Sequence, residues 1–311
     1  MSVSVVLPVR DEQDLVTAAV SDFLAAVEAI GGEVVVVDDG SADATAPRAE
    51  AAGARVIRRP APEGPYAARN EGWRQAAHPI VAFVDVRCRP RPGWAAAVVA
   101  PFEDQAVAVV GGDVRVGTGP SRAARAAHHL QPLQLAAADS APFLPYAPTC
   151  HLAVRRSALD VVGGFAEVRG GGDVDLCWAV QHHGVGTFRA APDAVLDWEP
   201  RTEVAGLRAQ YHRYGHNHGR LTAAWAEAGC PRPATPAPWR TALHELRHPG
   251  DERPSLVVAL TAARCRAAYA AGLRQGLAEG DDRLGPRDET NFERPTSNTD
   301  ARRSKVGGET S

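Results

Sequence analysis

Four consecutive valines, at positions 34 to 37, restrict the fold of this chain more than any other feature. They run without a polar interruption into Asp38 and Asp39, and Gly40 follows. A strand that is apolar on both faces must be covered on both sides, and such strands are typical of parallel sheets with helices on each face. The run therefore predicts a buried strand that ends abruptly in two carboxylates.

The first 116 residues alternate strand patterns with helix patterns. The predicted strands cover residues 3–7, 34–37, 55–57, 80–84 and 107–110. The predicted helices between them cover residues 15–30, 44–52, 66–77 and 94–102. Repeated units of this size predict an α/β fold with a doubly wound, mainly parallel sheet and right-handed crossovers.

The regular alternation ends after Val116. The later predicted elements are helices at 121–138, around 157–162, at 173–183, 204–228 and 255–277, and a strand at 149–154. Residues 231–238 read as a proline-rich linker, and the helix at 255–277 is amphipathic with an alanine-rich face. From about residue 279 the composition is polar with almost no aliphatic side chains, which predicts disorder.

These patterns predict one domain over residues 1–228, divided into halves at 1–116 and 117–228. A linker and the amphipathic helix follow over residues 229–278, and the polar tail occupies residues 279–311.

Composition excludes several classes of function. The formal net charge of −3 offers no electrostatic footprint for nucleic acid. The five cysteines are scattered without a CxxC pair, which is typical of reduced thiols. No signal peptide is visible, and no apolar run approaches the roughly 18 residues that span a bilayer. We therefore expect a cytoplasmic protein with no nucleic-acid partner and no transmembrane segment, whose membrane contact could only be peripheral.

Acidic side chains follow three separate predicted strands. They are Asp11 and Glu12, Asp38 and Asp39, and Asp85. One acid at a strand end is usually a turn former or a helix cap, but ligands of open α/β sheets bind outside the carboxyl ends of the strands. The turn after the first strand holds no glycine, so it lacks the glycine-rich loop of a dinucleotide site. A bound nucleotide would be held by carboxylates that accept hydrogen bonds from base and ribose.

Five segments, taken together, resemble the family 2 glycosyltransferases of GT-A fold. They are residues 6–12 (Val-Leu-Pro-Val-Arg-Asp-Glu), 37–45 (Val-Asp-Asp-Gly-Ser-Ala-Asp-Ala-Thr), 64–72 (Gly-Pro-Tyr-Ala-Ala-Arg-Asn-Glu-Gly), 83–90 (Phe-Val-Asp-Val-Arg-Cys-Arg-Pro) and 172–178 (Gly-Asp-Val-Asp-Leu-Cys-Trp). Any one of these motifs is weak, whereas five in order are specific. The resemblance extends over residues 1 to 225.

The resemblance implies an inverting transferase that moves a sugar from a nucleotide-diphospho-sugar to an acceptor hydroxyl. Its fold would combine a Rossmann-like nucleotide-binding half, residues 1–116, with an acceptor-side half, residues 117–228. The acceptor would be a saccharide, a lipid-linked glycan or a natural product. A catalytically degenerate member that binds a sugar nucleotide or a partner without transfer is the alternative.

The resemblance also implies roles on the donor side. Pro8 and Glu12 would border the nucleotide, and Asp38 and Asp39 would face base and ribose. Arg69 would help to fix the donor. An arginine on a helix surface is the plainer interpretation, but the motif favours the functional one.

Asp85 corresponds to the first position of the family's Asp-x-Asp motif, which holds a divalent metal on the donor diphosphate. The third position is Arg87, and Trp198 stands where the family often has a histidine. Mg²⁺ or Mn²⁺ prefers oxygen ligands, and arginine has only donors. Metal dependence is therefore doubtful. Either Arg87 contacts the diphosphate in place of the cation, or Asp85 and water still hold a metal.

Asp173 corresponds to the family's catalytic aspartate, the general base that takes a proton from the acceptor hydroxyl. Gly172 stands where the family usually has a glutamate. Asp173 is also well placed to cap the N-terminus of the next helix. Asp175, Trp178 and Trp198 are predicted on the acceptor side, and Trp198 could stack on a sugar ring.

Three histidines, His212, His216 and His218, lie in one predicted helix, and the first two have the i, i+4 spacing of a metal pair. No glutamate follows His212 in the HExxH manner, so packing is the favoured interpretation.

Overall fold

The computed structural model describes residues 1–133, 135, 141–234, 238–247 and 254–287. The strands are β1 Val3–Val9, β2 Glu33–Asp38, β3 Arg55–Arg58, β4 Ile80–Val84, β5 Cys88–Pro90, β6 Val107–Val116, β7 His151–Arg155 and β8 Thr187–Trp198. The helices are α1 Val16–Glu28, α2 Thr45–Ala51, α3 Pro65–Arg74, α4 Trp94–Val99, α5 Arg122–Leu130, α6 Arg156–Val162, α7 Gly172–His182, α8 Val204–Ala224, α9 Pro238–Arg247 and α10 Leu256–Glu279. A 3₁₀ turn, Ala100–Glu103, extends α4.

The strands form one sheet of eight, in the order β3-β2-β1-β4-β7-β6-β8-β5. The first four in this order are parallel, as predicted for a doubly wound half. Strand β7 is antiparallel to both of its neighbours, and β8 returns parallel to β6. The predicted α/β architecture is confirmed, with a mixed sheet in its second half.

The valine run is buried on both faces, as expected. Val34 and Val36 belong to one apolar core, and Val35 and Val37 belong to a second core on the other face of the sheet. None of the four is more than 2% exposed. Burial of each such side chain contributes on the order of 1.5–3 kcal/mol, so this strand anchors both layers of the domain.

Two strands, β5 and β8, were not predicted. In β8, exposed Thr187 and Arg189 alternate with half-buried residues, and Pro192 lies where the pairing with β6 shifts register. Proline cannot donate to a sheet ladder and is found at edges or bulges. The apolar signal of β8 is therefore concentrated at its end, next to Trp198.

Helix α10 packs along α8, although the sequence predicts it as an appendage beyond the domain. Glycines on both helices allow the backbones to touch. A Cβ atom on Gly215 would lie 1.9 Å from the carbonyl oxygen of Tyr269, and one on Gly276 would lie 2.0 Å from that of His216. Side chains at these positions would separate the helices.

Helix α10 is, in the described part of the chain, the one helix long and apolar enough to cross a membrane by length and composition. The sequence analysis predicted no such segment. Half of its most apolar window is buried inside the domain, as in a core helix. Its first turn exposes Leu256, Val257 and Leu260, and the neighbouring α9 exposes Trp239 and Leu243.

Helix α9 was not predicted, because Pro238 was assigned to a proline-rich linker. Proline is well tolerated in the first turn of a helix, where its missing N–H is not needed. Residues 235–237 of that linker lie outside the described residues.

Residues 281–287 pack against the domain, although their composition predicts disorder. Leu284 is buried in the second core, and Gly285 and Arg287 bond to Asp175 on α7. The segment is held by one buried leucine and by two hydrogen-bonded residues. Contacts of so few residues do not change the average composition on which the prediction of disorder was based. The remainder of the predicted tail, residues 288–311, lies outside the described residues.

Candidate active site

A cleft of about 740 Å³ opens at the carboxyl ends of β1 and β4. One wall contains Pro8, Glu12, Arg69, Asp85 and Arg87, which the sequence predicts on the donor side. Its opposite wall is formed by residues before and within α7 and by one face of α8. The predicted residues Asp173, Trp178 and Trp198 also line it.

The loops that follow β1 and β2 are tied to each other. The backbone N–H of Asp11 donates to Ser41 Oγ over 2.9 Å, and that of Ala42 donates to the Asp11 carboxylate over 2.8 Å. The backbone N–H of Glu12 donates to Thr45 Oγ1 over 2.9 Å. Asp11 has a positive φ of 52°, which aspartate tolerates better than most residues. These bonds fix the edge of the cleft at Glu12.

Asp38 and Asp39 lie beside the cleft but do not line it. Asp38 accepts hydrogen bonds from the backbone and the hydroxyl of Ser41. Asp39 accepts from Arg59 Nη1 over 2.8 Å and from the backbone N–H of Gly64 over 2.8 Å. Asp39 thus anchors the segment that leads into α3. The predicted contact of the two acids with base and ribose stays a prediction.

Arg69 and Asp85 form an ion pair in the cleft wall. Arg69 Nη2 lies 2.7 Å from Asp85 Oδ1, and the arginine side chain is 5% exposed while the aspartate is 40% exposed. Arg69 is therefore not a surface arginine of α3, the plainer interpretation considered above. Its Nε is buried without a hydrogen-bond partner among the described residues. A buried donor without a partner is costly, so this atom is available to a ligand.

Arg87 and Trp198 are neighbours. Cys88 pairs with Trp198 between β5 and β8, and the backbone N–H of Glu199 donates to the Arg87 carbonyl over 3.0 Å. The Arg87 guanidinium lines the cleft and forms no ion pair with any described residue. Two of the three positions that depart from the family pattern, Arg87 and Trp198, thus share one site.

The side chains at this site do not offer the oxygen ligands with which a protein holds a divalent cation. Of the three described carboxylates that line the cleft, Glu12, Asp85 and Asp173, only Asp85 belongs to the sequence motif at this site, and one of its oxygens is engaged by Arg69. Among the described residues, no three His, Cys, Asp or Glu side chains are grouped so as to hold a metal ion. Hard cations prefer several oxygen ligands, whereas this site presents guanidinium groups.

Asp173 faces the cleft with both carboxylate oxygens oriented. Tyr66 OH donates to Oδ1 over 3.0 Å, and the backbone N–H of Thr149 donates to Oδ2 over 3.1 Å. Burial raises the pKa of Tyr66 well above its usual value, and the negative charge of Asp173 adds to the effect. Tyr66 therefore stays a hydrogen-bond donor at neutral pH. The sequence analysis assigned no role to Tyr66 or Thr149. The available signal for Tyr66 was its place as the aromatic residue of the motif at 64–72, two positions after Gly64.

The helix cap is not Asp173. Helix α7 begins at Gly172, and Gly171, with φ of 86°, precedes it, so Asp173 lies inside the first turn. A Cβ atom on Gly172 would lie 3.2 Å from the Tyr66 ring. The glycine at the family's glutamate position therefore makes room for the ring that orients Asp173.

Asp175 was predicted on the acceptor side, and the structure places it elsewhere. It is 1% exposed and accepts hydrogen bonds from Trp225 Nε1, the Gly285 N–H and Arg287 Nη2, each over 2.9 Å. Burial raises its pKa, and the charge of Arg287 opposes that rise. Residues two apart on a helix point to different sides, so Asp173 and Asp175 could not share the cleft.

Trp178 and Trp198 line the cleft but are mostly buried. Trp178 is 4% and Trp198 is 6% exposed. Trp178 Nε1 donates to the Leu144 carbonyl over 2.7 Å, and its ring meets Phe143 edge to face at 5.0 Å. Both tryptophans therefore present only part of a ring to a ligand.

The cleft-facing side of α8 was missed by the sequence analysis. It carries Gln210, Arg213, Tyr214, Asn217 and His218. These positions follow the i, i+3, i+4, i+7, i+8 spacing of one helix face, which was the available signal. His218 bonds to Tyr269 OH, and His216 bonds to Glu279 over 2.7 Å. The interpretation of the histidines as packing residues stays a prediction.

The sheet order, with a cleft at the carboxyl ends of β1 and β4, defines the class as a GT-A glycosyltransferase fold. The mannosyltransferase PcManGT from Pyrobaculum calidifontis, solved in complex with GDP-Man and Mn²⁺, shares this fold. Its TM-score is 0.56 at 18% identity, over 90% of this chain and 76% of that one.

The chain belongs to glycosyl transferase family 2, whose family model matches residues 4–163. It is 32% identical over 240 residues to a pre-mycofactocin glycosyltransferase of Mycobacterium tuberculosis, covering 74% of this chain and 49% of that protein. It is 30% identical over 220 residues to the glycosyltransferase AglE of Haloferax volcanii, covering 68% of this chain and 71% of AglE. The chain thus spans about half the length of the first of these relatives.

Proposed function

We propose that this protein transfers a sugar from a nucleotide-diphospho-sugar to an acceptor hydroxyl with inversion, and that Asp173 is the general base. The observation that carries the proposal is the arrangement of Asp173. Its two oxygens are held by Tyr66 and Thr149 in the same cleft as the Arg69–Asp85 pair. Family membership and the fold support the reaction class.

The donor would lie along the wall of Pro8, Glu12 and Arg69, and the acceptor would lie beside Asp173. Asp173 takes the proton of the acceptor hydroxyl as its oxygen bonds to the anomeric carbon. The bond from that carbon to the phosphate oxygen breaks on the opposite face, and the nucleoside diphosphate leaves with the electron pair. Holding both reactants in one cleft supplies much of the rate enhancement.

The cations of the donor wall would offset the charge of the leaving diphosphate. Arg87 has no ion-pair partner among the described residues, and Arg69 has an unpartnered Nε. Guanidinium groups bind phosphate oxygens in a bidentate manner. The Mn²⁺ in PcManGT shows that a relative of this fold binds a divalent cation. For this chain we propose weak metal dependence, because Arg87 stands at a ligand position.

The metal proposal is tested by measuring transfer in excess EDTA and after addition of Mn²⁺. We expect most of the activity to survive chelation in the native chain. Complete loss in EDTA that Mn²⁺ restores would show instead that Asp85 and water hold a cation. An Arg87→Gln variant should lose activity, whether or not Mn²⁺ is added.

The reaction is tested with a panel of UDP-, GDP- and dTDP-sugars. Thermal shift identifies the donor, transfer and hydrolysis assays follow turnover, and NMR of the product determines its anomeric configuration. An inverted product is expected, and retention of configuration would refute the inverting mechanism. Nucleotide binding without turnover over a broad acceptor panel would favour the catalytically degenerate alternative.

The role of Asp173 is tested with Asp173→Asn, which preserves size. We expect transfer to fall by about 100-fold or more, since a general base contributes on that order, while nucleotide binding persists. Asp160→Asn, at an exposed position on α6, is the matched control. Near-normal turnover of Asp173→Asn would remove Asp173 from the mechanism.

A further inference from the structure

One face of helix α8 is polar although it faces the interior of the domain. The residues are Gln210, Arg213, Tyr214, Asn217 and His218, and all of them line the cleft. The inward face of a helix in a globular protein is normally apolar, because it packs against the core. A polar face that borders a cleft instead meets water or a ligand.

The face holds a buried polar atom that lacks a partner. Gln210 is 5% exposed, and its Nε2 donates to Tyr214 OH over 2.6 Å. Its Oε1 has no hydrogen-bond partner among the described residues. An unsatisfied buried acceptor is costly in a folded protein, so Oε1 is expected to accept a hydrogen bond from a bound molecule.

Tyr214 connects this face to the reaction centre. Burial raises its pKa, the hydrogen bond from Gln210 opposes that rise, and the negative charges of Asp85 and Asp173 add to it. Tyr214 lines the same cleft as Asp85 and Asp173. Its hydroxyl accepts from Gln210, which leaves the Tyr214 proton free to donate. Gln210 and Tyr214 together thus present an acceptor and a donor to a hydroxyl-bearing ligand.

Two arginines line the cleft here, one on this face of α8 and one in the loop before α7. Arg213 lies one helical turn before Asn217, and Arg169 immediately precedes Gly170. Gly170 is close to the Asn217 amide, since a Cβ atom on it would lie 2.0 Å from Nδ2. Arg169 and Arg213 thus belong to two segments that meet at the contact of Gly170 with Asn217. Both are exposed, both line the cleft, and neither pairs with an acid among the described residues.

Among the described residues, the acceptor half of the cleft has no further acid to balance these charges. Among the described cleft-lining residues after position 117, Asp173 is the one carboxylate, and it is held by Tyr66 and Thr149. The donor diphosphate has its own cations in Arg69 and Arg87, on the other wall. The positive charge at Arg169 and Arg213 thus has no acidic counterpart among the described residues that line the cleft.

We propose that the acceptor carries an anionic group, a phosphate or a carboxylate, which Arg169 and Arg213 bind. A hydroxyl of the same molecule would donate to Gln210 Oε1. Guanidinium groups bind either anion through charge-assisted, bidentate hydrogen bonds. The inference rests on the proposed function, because it identifies the molecule as the acceptor.

The test uses three matched probes, namely glycerol 3-phosphate, glycerate and glycerol. Their binding is measured by calorimetry with whichever of UDP and GDP stabilises the full chain, present at saturation, so that the diphosphate site is occupied. We expect an anionic probe to bind and glycerol not to bind. Preference for glycerol 3-phosphate or for glycerate distinguishes a phosphate from a carboxylate.

Arg169→Gln and Arg213→Gln should each weaken binding of the anionic probe roughly tenfold or more, as for the loss of a charge-assisted hydrogen bond. Arg208→Gln is the matched control, since it removes an exposed arginine of the same helix outside the cleft. It should change the affinity less than twofold, and nucleotide binding should be unchanged in all three variants.

Equal affinity for glycerol and its charged analogues would overturn the proposal. So would an equal loss in Arg208→Gln, or no detectable anion binding. If the nucleotides do not bind either, the proposed function fails as well. Nucleotide binding with no anion binding overturns only the present inference.

Discussion

The buried pair of Asp175 and Arg287 gives a test of how the last described segment supports α7. Arg287 Nη2 lies 2.9 Å from Asp175 Oδ2, and the aspartate side chain is 1% exposed. Arg287→Met removes the charge but keeps an apolar stem of similar length. Breaking a buried ion pair by removing one partner costs about 3–5 kcal/mol. Asp175 keeps two neutral donors, Trp225 and the Gly285 N–H, so the lower end is expected.

A loss of about 3 kcal/mol corresponds to a fall in Tm of about 6–12 °C for a domain of this size. The assay is urea denaturation followed by circular dichroism, with Arg283→Met as control. Arg283 is 60% exposed and pairs with Asp281 in the same segment. Its loss should cost less than about 1 kcal/mol, because Arg283 is largely exposed and Asp281, whose side chain is 3% exposed, keeps its ion pair with Arg220.

The cost of Arg287→Met should also depend on pH. Burial raises the pKa of Asp175 in the folded state above its unfolded value, and Arg287 opposes that rise. A carboxyl with a raised folded pKa stabilises the fold when protonated, and this stability is lost as pH rises through the folded pKa. Without Arg287 the folded-state pKa of Asp175 rises further, so the loss of stability with increasing pH is larger. The variant should therefore be more destabilised at pH 8 than at pH 5. Equal stability of the Arg287 and Arg283 variants, or a defect that is larger at pH 5, would refute this reasoning.

Two further predictions concern packing and protonation. Gly276→Val should destabilise the protein by about 3 kcal/mol in urea denaturation, since its side chain would meet the His216 carbonyl of α8. Gly206→Ala, where a Cβ atom has its nearest neighbour at 3.7 Å, should be neutral or stabilising, and equal effects would contradict the close-packing argument. Burial lowers the pKa of His151 to about 4, so folding stability should fall by about 2 kcal/mol between pH 7 and pH 5, as the unfolded chain takes up a proton that the native state refuses. The ring of His151, which accepts from Trp94 Nε1 over 2.8 Å, should remain neutral in nitrogen NMR at pH 5.5, and a protonated ring there would contradict the prediction.

The first half of the fold could be predicted because its strands carry an unbroken apolar signal. The run at 34–37 is buried on both faces, and alternation with helices then leaves few topologies. The signal is weaker where only one end of a strand is buried. Strand β8 was missed for this reason, since its register shift and Pro192 conceal the apolar residues near Trp198.

The site was predicted where a motif fixes both residue and position. Pro8, Glu12, Asp85, Arg87 and Asp173 all line one cleft. Contacts between distant segments could not be predicted in the same way. Tyr66 reaches Asp173 across 107 positions of sequence, and Arg287 reaches Asp175 across 112. Such pairs depend on the tertiary arrangement, and neither partner has a local pattern that names the other.

The different partners of Asp85 and Asp173 support the proposal that Asp173 is the base. Asp85 is paired with the charged Arg69 over 2.7 Å. Asp173 accepts hydrogen bonds from the phenol of Tyr66 and from the backbone N–H groups of Thr149 and Val174, all of which are neutral donors. A charge-assisted bond thus engages the Asp85 carboxylate, whereas neutral donors orient Asp173 without a paired cation. Arg69 and Tyr66, three residues apart on α3, give the two aspartates these different partners.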